Sequence, residues 1–270
     1  MKRILGIVVF FAMSIGGKLP ALGSSLLLGV NEGVAQQSAY YQIQSRYQGF
    51  AAYLSSVLKE PIRVESSQSI SIASSDVREK RYDLMFCRPS NVAAHAMRDE
   101  HYQLVAMAKG QFVVSFIVQP TSRLKKPSDI AGARIAMPDR NTMIAQVALA
   151  TLRDMHIHPA SQNILYAHYQ AALPYIIRND FADVAAVGPF PARKWLKHGG
   201  RVLFKAKPLP FWSVLASPSV PAAEVEKLRQ ALLKLNESDA GRKILARIKV
   251  ASFVPGNAQA YLNMLKWMGQ

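Results

Sequence analysis

The chain has 270 residues, with 33 Lys and Arg against 17 Asp and Glu, which gives a formal net charge of +16 at pH 7. This excess of positive charge favours anionic partners. The alternative is that the charge only keeps the protein soluble and sets the electrostatic field at its surface. A single cysteine excludes an internal disulfide. The sequence has no basic arm, helix-turn-helix pattern or zinc-ligand spacing, so we expect no nucleic-acid partner.

Residues 1–23 have the three parts of a secretory signal peptide. Residues 1–3 carry positive charge, residues 4–15 are apolar, and residues 19–23 end in the small-x-small pattern that precedes cleavage. A membrane anchor is the competing interpretation, but the apolar segment is shorter than the roughly 20 residues that span a bilayer. We therefore expect cleavage near Gly23 and a mature protein in the periplasm.

Strand and helix patterns alternate along the rest of the chain. The predicted strands cover residues 26–30, 62–65, 84–87, 104–107, 112–118, 134–137, 164–167, 184–187, 202–204 and 212–216. The predicted helices cover residues 41–58, 70–80, 92–98, 143–156, 170–178, a segment that starts at 218–221, and 257–267. This order predicts an α/β protein whose sheets are mostly parallel and flanked by helices.

Two apolar segments, near residues 112–118 and 211–216, predict two crossings between a pair of lobes. We expect the first lobe to contain residues 24–112 and 216–270, and the second lobe to contain residues 113–215. The strands at 202–204 and 212–216 are then expected to return the chain to the first lobe.

Two of the predicted strands end at residues that suit an anion site. Each is followed by an arginine and by hydroxyl or amide residues: Arg88, Ser90 and Asn91 after the first, and Arg140, Asn141 and Thr142 after the second. Ser, Thr and Asn are favoured N-caps, and a helix N-terminus attracts anions. We expect the two sets to face each other across a cleft. A structural ion pair for Arg88, and simple capping for Ser90 and Asn91, are the alternatives.

Three aromatic residues are candidates for the wall of such a cleft. Tyr40 and Tyr41 follow the first predicted strand, and Trp212 lies at the second crossing. An aromatic side chain at these places can contact an apolar part of a ligand, or it can pack under a loop or against the hinge.

The sequence predicts no metal site, no cofactor and no enzyme activity. His156 and His158 are two residues apart at the end of a predicted helix, so their rings do not share one helical face with each other. Cys87 ends a buried strand and is expected in the core. The chain has no GxSxG elbow, HExxH motif or convincing pair of carboxylates.

The order of these motifs resembles the phosphate, phosphite and phosphonate type of periplasmic substrate-binding protein of ABC transporters. The resemblance covers nearly the whole mature chain and rests on LGV at 28–30, YDL at 82–84, PSN at 89–91, SDIAGARIA at 128–136, AHYQAA at 167–172, DFADVAAV at 180–187 and the segment 221–235. It implies the type II periplasmic binding-protein fold, in which two lobes close on an oxyanion.

The resemblance also implies site residues and partners. Residues 89–91 match the clamp of the first lobe, residues 140–142 match a Ser-Thr-Ser-Gly loop, and His168 matches a His or Asp that faces the ligand. Arg140 and Asn141 depart from that loop, and a guanidinium suits carboxylate, sulfonate or phosphate equally. We therefore expect a small anion that need not be a phosphonate, a monomer, and an ABC permease as partner; a membrane sensor kinase is the alternative.

Overall fold

The computed structural model describes residues 25–33, 40–67 and 69–270. The predicted signal peptide and its cleavage point at Gly23 lie outside these residues. No helix in the described part of the chain has the length and apolar character needed to cross a bilayer. The described residues form two sheets with helices packed on them, which confirms the predicted α/β fold class.

The strands and helices alternate along most of the described chain. The strands are β1 Leu26–Asn31, β2 Ile62–Ser66, β3 Leu84–Cys87, β4 Gln103–Ala108, β5 Ser115–Val118, β6 Arg134–Pro138, β7 Asn163–Ala167, β8 Val184–Val187, β9 Arg201–Lys205, β10 Ser213–Ala216 and β11 Phe253–Val254. The helices are α1 Tyr40–Leu58, α2 Ile70–Arg78, α3 Ser90–Asp99, α4 Met143–Asp154, α5 Leu173–Arg178, α6 Pro189–Lys197, α7 Ala222–Lys234, α8 Asp239–Arg247 and α9 Ala258–Met268.

The first sheet has the strand order β11-β4-β10-β3-β1-β2 and the second sheet has the order β7-β6-β8-β5-β9. In the first sheet β1 is parallel to β2 and β3, whereas β10 is antiparallel to β3 and β4. In the second sheet β6 is parallel to β7 and β8, whereas β5 is antiparallel to β8 and β9. Both sheets are therefore mixed rather than mostly parallel.

Strands β5 and β10, which follow the two crossings between the sheets, run antiparallel to their neighbours, as does the short β11 at the edge of the first sheet. After β4 the chain crosses to the second sheet and enters it as β5, and after β9 it crosses back and enters the first sheet as β10. The two crossing segments run antiparallel and exchange two backbone hydrogen bonds of 3.0 Å between Phe112 and Leu209. The prediction that residues 202–204 return to the first lobe is wrong, because β9 pairs with β5 in the second sheet.

The sequence patterns missed α6, α8 and β11. Helix α6 begins at Pro189-Phe190-Pro191, and two prolines so close together suggest a break in structure. Proline is nevertheless well suited to the first turn of a helix, where its missing N–H would have had no intrahelical partner.

The largest apolar cluster joins the two sheets. It contains Met85 and Val92 from β3 and α3, together with Met137 and Val147 from β6 and α4. Helix α9 packs against both α3 and α4, and Nε1 of its Trp267 donates a 2.7 Å hydrogen bond to Asp154. The two sheets are thus in contact through helices as well as through the crossings.

Candidate functional site

A cavity of about 640 Å³ lies between the two sheets. Its walls come from the segments that follow β1, β3 and β8, from the start of α4, from both crossings, and from the loop between α8 and β11. We call this cavity the cleft. Neighbouring parallel strands end at the same edge of a sheet. The segments after β1 and β3 therefore lie together at one edge of the first sheet, and those after β6 and β8 lie together at one edge of the second.

Three helix starts line the cleft, at Pro89 for α3, Thr142 for α4 and Gly188 for α6. The first backbone N–H groups of an α-helix have no partner inside the helix, and the helix dipole makes this end attractive to anions. Met143 and Ile144, whose backbone N–H groups belong to this class, are among the residues that line the cleft. The arrangement can therefore present backbone donors to an anion from both sheets.

Thr142 is the N-cap of α4, as the sequence predicts. Its Oγ1 accepts a 3.2 Å hydrogen bond from the N–H of Ala145, and the residue lines the cleft while being almost fully buried. Gln170 acts similarly for the next helix start, because its Oε1 accepts a 2.6 Å hydrogen bond from the N–H of Gly188. The amide nitrogen of Gln170 then remains as a donor at the wall of the cleft.

Arg88 lines the cleft but is buried in an ion-pair network. Its Nη2 lies 2.8 Å from Oε1 of Glu32 and 3.2 Å from the hydroxyl of Tyr47. Its guanidinium also lies 4.3 Å from the ring centroid of Trp212, which is cation–π distance. Burial raises the pKa of Tyr47, whose hydroxyl donates to the same oxygen of Glu32 at 2.9 Å. Arg88 therefore makes the structural ion pair that was the alternative to an anion clamp.

Ser90 and Asn91 do not cap α3; the predicted caps are wrong. Pro89 is the N-cap and makes no side-chain capping bond. The hydroxyl of Ser90 donates to the carbonyl oxygens of Pro210 at 2.8 Å and Phe211 at 3.2 Å, which fastens the second crossing to α3. Nδ2 of Asn91 donates a 3.1 Å hydrogen bond to Oε1 of Gln146 on α4, so this side chain connects helices of the two sheets.

The structure places several other predicted site residues outside the lining of the cleft. Arg140 and Asn141 are exposed, because α4 starts after them and Thr142 takes the cap position. His168 is exposed and pairs with Asp139, with 2.9 Å between Nδ1 and Oδ2. Tyr41 is 79% exposed and lies in a different groove, beside β2, while the side chain of Tyr40 is outside the described part.

Trp212 does line the cleft, as part of an aromatic stack that the sequence did not predict. The rings of Phe211 and Trp212 lie parallel with their centroids 4.3 Å apart. A Cβ on Gly110 would lie 3.0 Å from the Phe211 ring, so this glycine lets the first crossing approach the ring closely. The carbonyl oxygen of Phe211 also accepts a 2.7 Å hydrogen bond from the hydroxyl of Tyr261. The stack is thus fixed from several sides.

The charged residues at the mouth of the cleft were also missed. Lys109, Arg193 and Lys249 line the cleft and are exposed. Burial, together with nearby Arg46 and Arg88, lowers the pKa of Lys249. The only acid in the lining, among the described residues, is Glu32, which is already paired. The lining of the cleft therefore carries a net positive charge.

The missed residues carry only weak sequence signals. The Gly188-Pro189 step follows a buried strand and starts a helix, which is the same junction pattern that identified Thr142. Lys109 and Lys249 lie in loops whose positions depend on the folded chain. Within the described ranges, no group of three or more His, Cys, Asp or Glu side chains is placed to hold a metal ion.

Solved structures with the same fold include three binding proteins. PhnD1 from Prochlorococcus marinus in complex with methylphosphonate has a TM-score of 0.71 and 14% identity, covering 89% of this chain and 96% of that one. A binding-protein component of a phosphonate ABC transporter from Pseudomonas aeruginosa has a TM-score of 0.68 and 14% identity, covering 90% and 86%. The periplasmic aliphatic sulphonate binding protein SsuA from Escherichia coli has a TM-score of 0.58 and 13% identity, covering 90% and 83%.

No curated protein sequence matches the chain. The family model for the periplasmic substrate-binding protein of phosphonate ABC transporters, however, matches residues 33–261. This match and the shared fold confirm the resemblance found in the sequence motifs. The chain belongs to the family of periplasmic substrate-binding proteins of phosphonate ABC transporters.

Proposed function

We propose that this protein captures a small organic oxyanion, a phosphonate or a close chemical relative, in the cleft and delivers it to an ABC permease in the inner membrane. Membership of the family implies a periplasmic location and a role in transport. The proposal adds to this the class of ligand and the place where it binds.

The observation that carries the proposal is the meeting of three helix starts at one cavity between two sheets. Thr142 and Gln170 supply polar side chains beside these starts, and Lys109 and Arg193 add positive charge at the mouth. Backbone N–H groups at helix N-termini and nearby cations are the usual means by which proteins bind phosphate-like and sulfate-like groups.

The structural relatives support the same class of ligand. One was solved with methylphosphonate and another is an aliphatic sulphonate binding protein. Both ligands are tetrahedral oxyanions on a carbon chain. At their low sequence identity these relatives support the fold alone, and the cleft of this chain supports the chemistry.

We also propose that the two sheets define the two lobes that hold the ligand. Residues 24–112 and 216–270 would form one lobe and residues 113–215 the other. The strands of the first sheet come from 26–108, 213–216 and 253–254, and the strands of the second sheet come from 115–205, which supports this division. Ligand binding would then draw together the helix starts from the two lobes.

A thermal-shift screen tests the proposed function. The purified mature protein is heated with phosphate, phosphite, alkylphosphonates, alkylsulfonates, carboxylates and neutral alcohols. A ligand at about 100 times its dissociation constant adds about 2.7 kcal/mol to the free energy of unfolding, which gives a clear rise in melting temperature. Stabilisation by tetrahedral organic anions supports the proposal, and stabilisation by none of the anions contradicts it.

We propose that the protein acts in transport as a monomer and does not catalyse a reaction. A permease is expected to respond to the ligand-bound form, so reconstituted transport should need this protein and its ligand together. Light scattering of the purified protein should give the mass of one chain. A sensor kinase that changes activity with this protein, in the absence of any transport, would favour the alternative partner.

A further inference from the structure

The cleft is larger and more apolar than a small tetrahedral anion requires. We propose that the ligand carries a ring-sized apolar substituent on its oxyanion, and that Phe190 determines specificity by contacting this substituent. The inference rests on the proposed function and adds a substrate class and a residue to it.

The first argument is size. A cavity of about 640 Å³ has room for roughly twenty water molecules at about 30 Å³ each. Methylphosphonate would replace only a few of them. Binding sites of this size usually enclose a ligand that is larger and partly apolar. Because ligand binding would draw the two lobes together, this volume is an upper limit for the ligand, and an oxyanion with a ring-sized substituent fits well within it.

The second argument is the exposure of Phe190. This residue is in the first turn of α6 and lines the cleft, yet its side chain is 57% exposed. Among the described residues it belongs to none of the apolar clusters of the core. The guanidinium of Arg193 lies 5.9 Å from the centroid of the Phe190 ring. The fold therefore leaves more than half of Phe190 uncovered, and a ligand in the cleft could bury it.

The third argument is the aromatic stack of Phe211 and Trp212 in the lining of the same cleft. Phe190 is on α6, which follows strand β8 of the second sheet, whereas the stack belongs to the crossing that enters the first sheet. Met143 and Ile144 extend the apolar lining beside the start of α4. An apolar ring in the cleft would therefore have apolar neighbours on both sides.

The fourth argument is the distribution of charge. Glu32 pairs with both Arg46 and Arg88 at the wall of the first sheet, so these two guanidinium groups are already held by a carboxylate. The helix starts, together with the exposed Lys109 and Arg193 at the mouth of the cleft, can contact the oxyanion. An amphipathic ligand, with one charged end and one apolar end, matches this separation of polar and apolar surface.

Titration calorimetry on matched ligand pairs tests the inference. The pairs are methylphosphonate with phenylphosphonate and methanesulfonate with benzenesulfonate, each titrated into the wild-type protein. We expect the phenyl member of the better-bound pair to have a dissociation constant at least about tenfold lower, equal to about 1.4 kcal/mol. In Phe190→Ala this ratio should fall at least about threefold, while the affinity for the methyl member stays within about twofold.

A matched control is available in the same part of the chain. Phe181 is also 57% exposed but does not line the cleft, so Phe181→Ala should leave the ratio unchanged. Equal affinity for the phenyl and methyl members would overturn the inference and leave the proposed function standing. A ratio preserved in Phe190→Ala would overturn the role of that residue. Binding of none of the anions, or equally tight binding of benzyl alcohol, would overturn the proposed function itself.

Discussion

Nη2 of Arg88 lies 2.8 Å from Oε1 of Glu32, and both side chains are almost completely buried at the wall of the cleft. The second carboxylate oxygen, Oε2, lies 2.5 Å from Nη1 of Arg46. The Glu32 carboxylate therefore forms ion pairs with two arginines. The strands β1 and β3 bring this pair together, because Asn31 and Cys87, the residues just before them, are opposite each other in the parallel ladder.

The first prediction is that Glu32→Gln lowers the free energy of unfolding by about 3 kcal/mol. Removing one partner of a buried ion pair leaves the other charge without compensation, which typically costs about 3 to 5 kcal/mol. Here the substitution would leave Arg46 and Arg88 close together with no acid between them. Urea unfolding followed by circular dichroism measures the change.

The control for this prediction is an ion pair on the surface. Asp239 pairs with Arg242 on α8, and both side chains are largely exposed. Exposed pairs contribute little to stability, so Asp239→Asn should leave the unfolding midpoint almost unchanged. Equal losses in the two variants would show that burial of Glu32 has no special effect.

The second prediction compares two arginines. Arg193→Ala should raise the dissociation constant for the best anion about tenfold, because a hydrogen bond to a charged group contributes about 1.5 to 3 kcal/mol and exposure screens part of it. Arg140→Ala should change it by less than about twofold, because Arg140 lies outside the lining of the cleft. Titration calorimetry at low and high salt measures both. A large effect of Arg140 with none of Arg193 would favour the clamp that the sequence predicted.

The fold could be predicted from the sequence because strand and helix periods are local. An apolar run predicts the strand at 84–87, and a capping residue predicts the start of α4 at Thr142; the structure has both. The antiparallel insertion of β5 and β10 could not be found in this way. It depends on which strands the crossings place side by side, and that is decided by packing between distant segments.

The site was harder to predict for a related reason. A residue type gives its chemistry but not its partner: the sequence makes Arg88 a candidate anion clamp, whereas the fold places Glu32 beside it. In the same way the hydroxyl of Ser90 was free to cap a helix or bind a ligand. The structure shows it bonded to the second crossing, far along the chain, at Pro210 and Phe211.

The third prediction concerns two glycines. An ideal Cβ on Gly29 of β1 would lie 2.4 Å from the ring of Tyr82, which is fully buried and whose hydroxyl donates to Asp76 at 2.5 Å. Gly29→Ala should therefore destabilise the protein by about 1 to 3 kcal/mol through overpacking. Thermal unfolding measures the loss.

Gly49 provides the opposite case. It lies inside α1, and a Cβ there would meet its nearest neighbour, Ile244, at an ordinary contact distance of 3.8 Å. Since alanine is favoured over glycine in a helix interior by about 1 kcal/mol, Gly49→Ala should raise the melting temperature. Two variants that move the melting temperature in the same direction would contradict this reasoning.

The fourth prediction is a steep loss of stability above about pH 10. Burial raises the pKa of five tyrosines in the described part of the folded chain: the buried Tyr47, Tyr82, Tyr102 and Tyr261, and the partly buried Tyr53. For Tyr102 the pKa rises to about 12. Each phenol stays protonated in the folded protein while the unfolded chain loses its proton near pH 10, so unfolding is favoured as the pH rises from about 10 towards the folded pKa values. Below about pH 10 this contribution to stability is fully present.

The slope of stability against pH is the quantity to measure. Each such group contributes up to about 1.4 kcal/mol per pH unit, so the four buried phenols together give up to about 5.5 kcal/mol per unit in this window. Urea unfolding at several pH values above about 9 gives the slope. Tyr102→Phe removes one phenol and the 2.8 Å hydrogen bond that it donates to the Tyr82 carbonyl. The lost bond lowers stability at every pH, but the slope should become shallower by one group's share, and an unchanged slope in this variant would contradict the assignment.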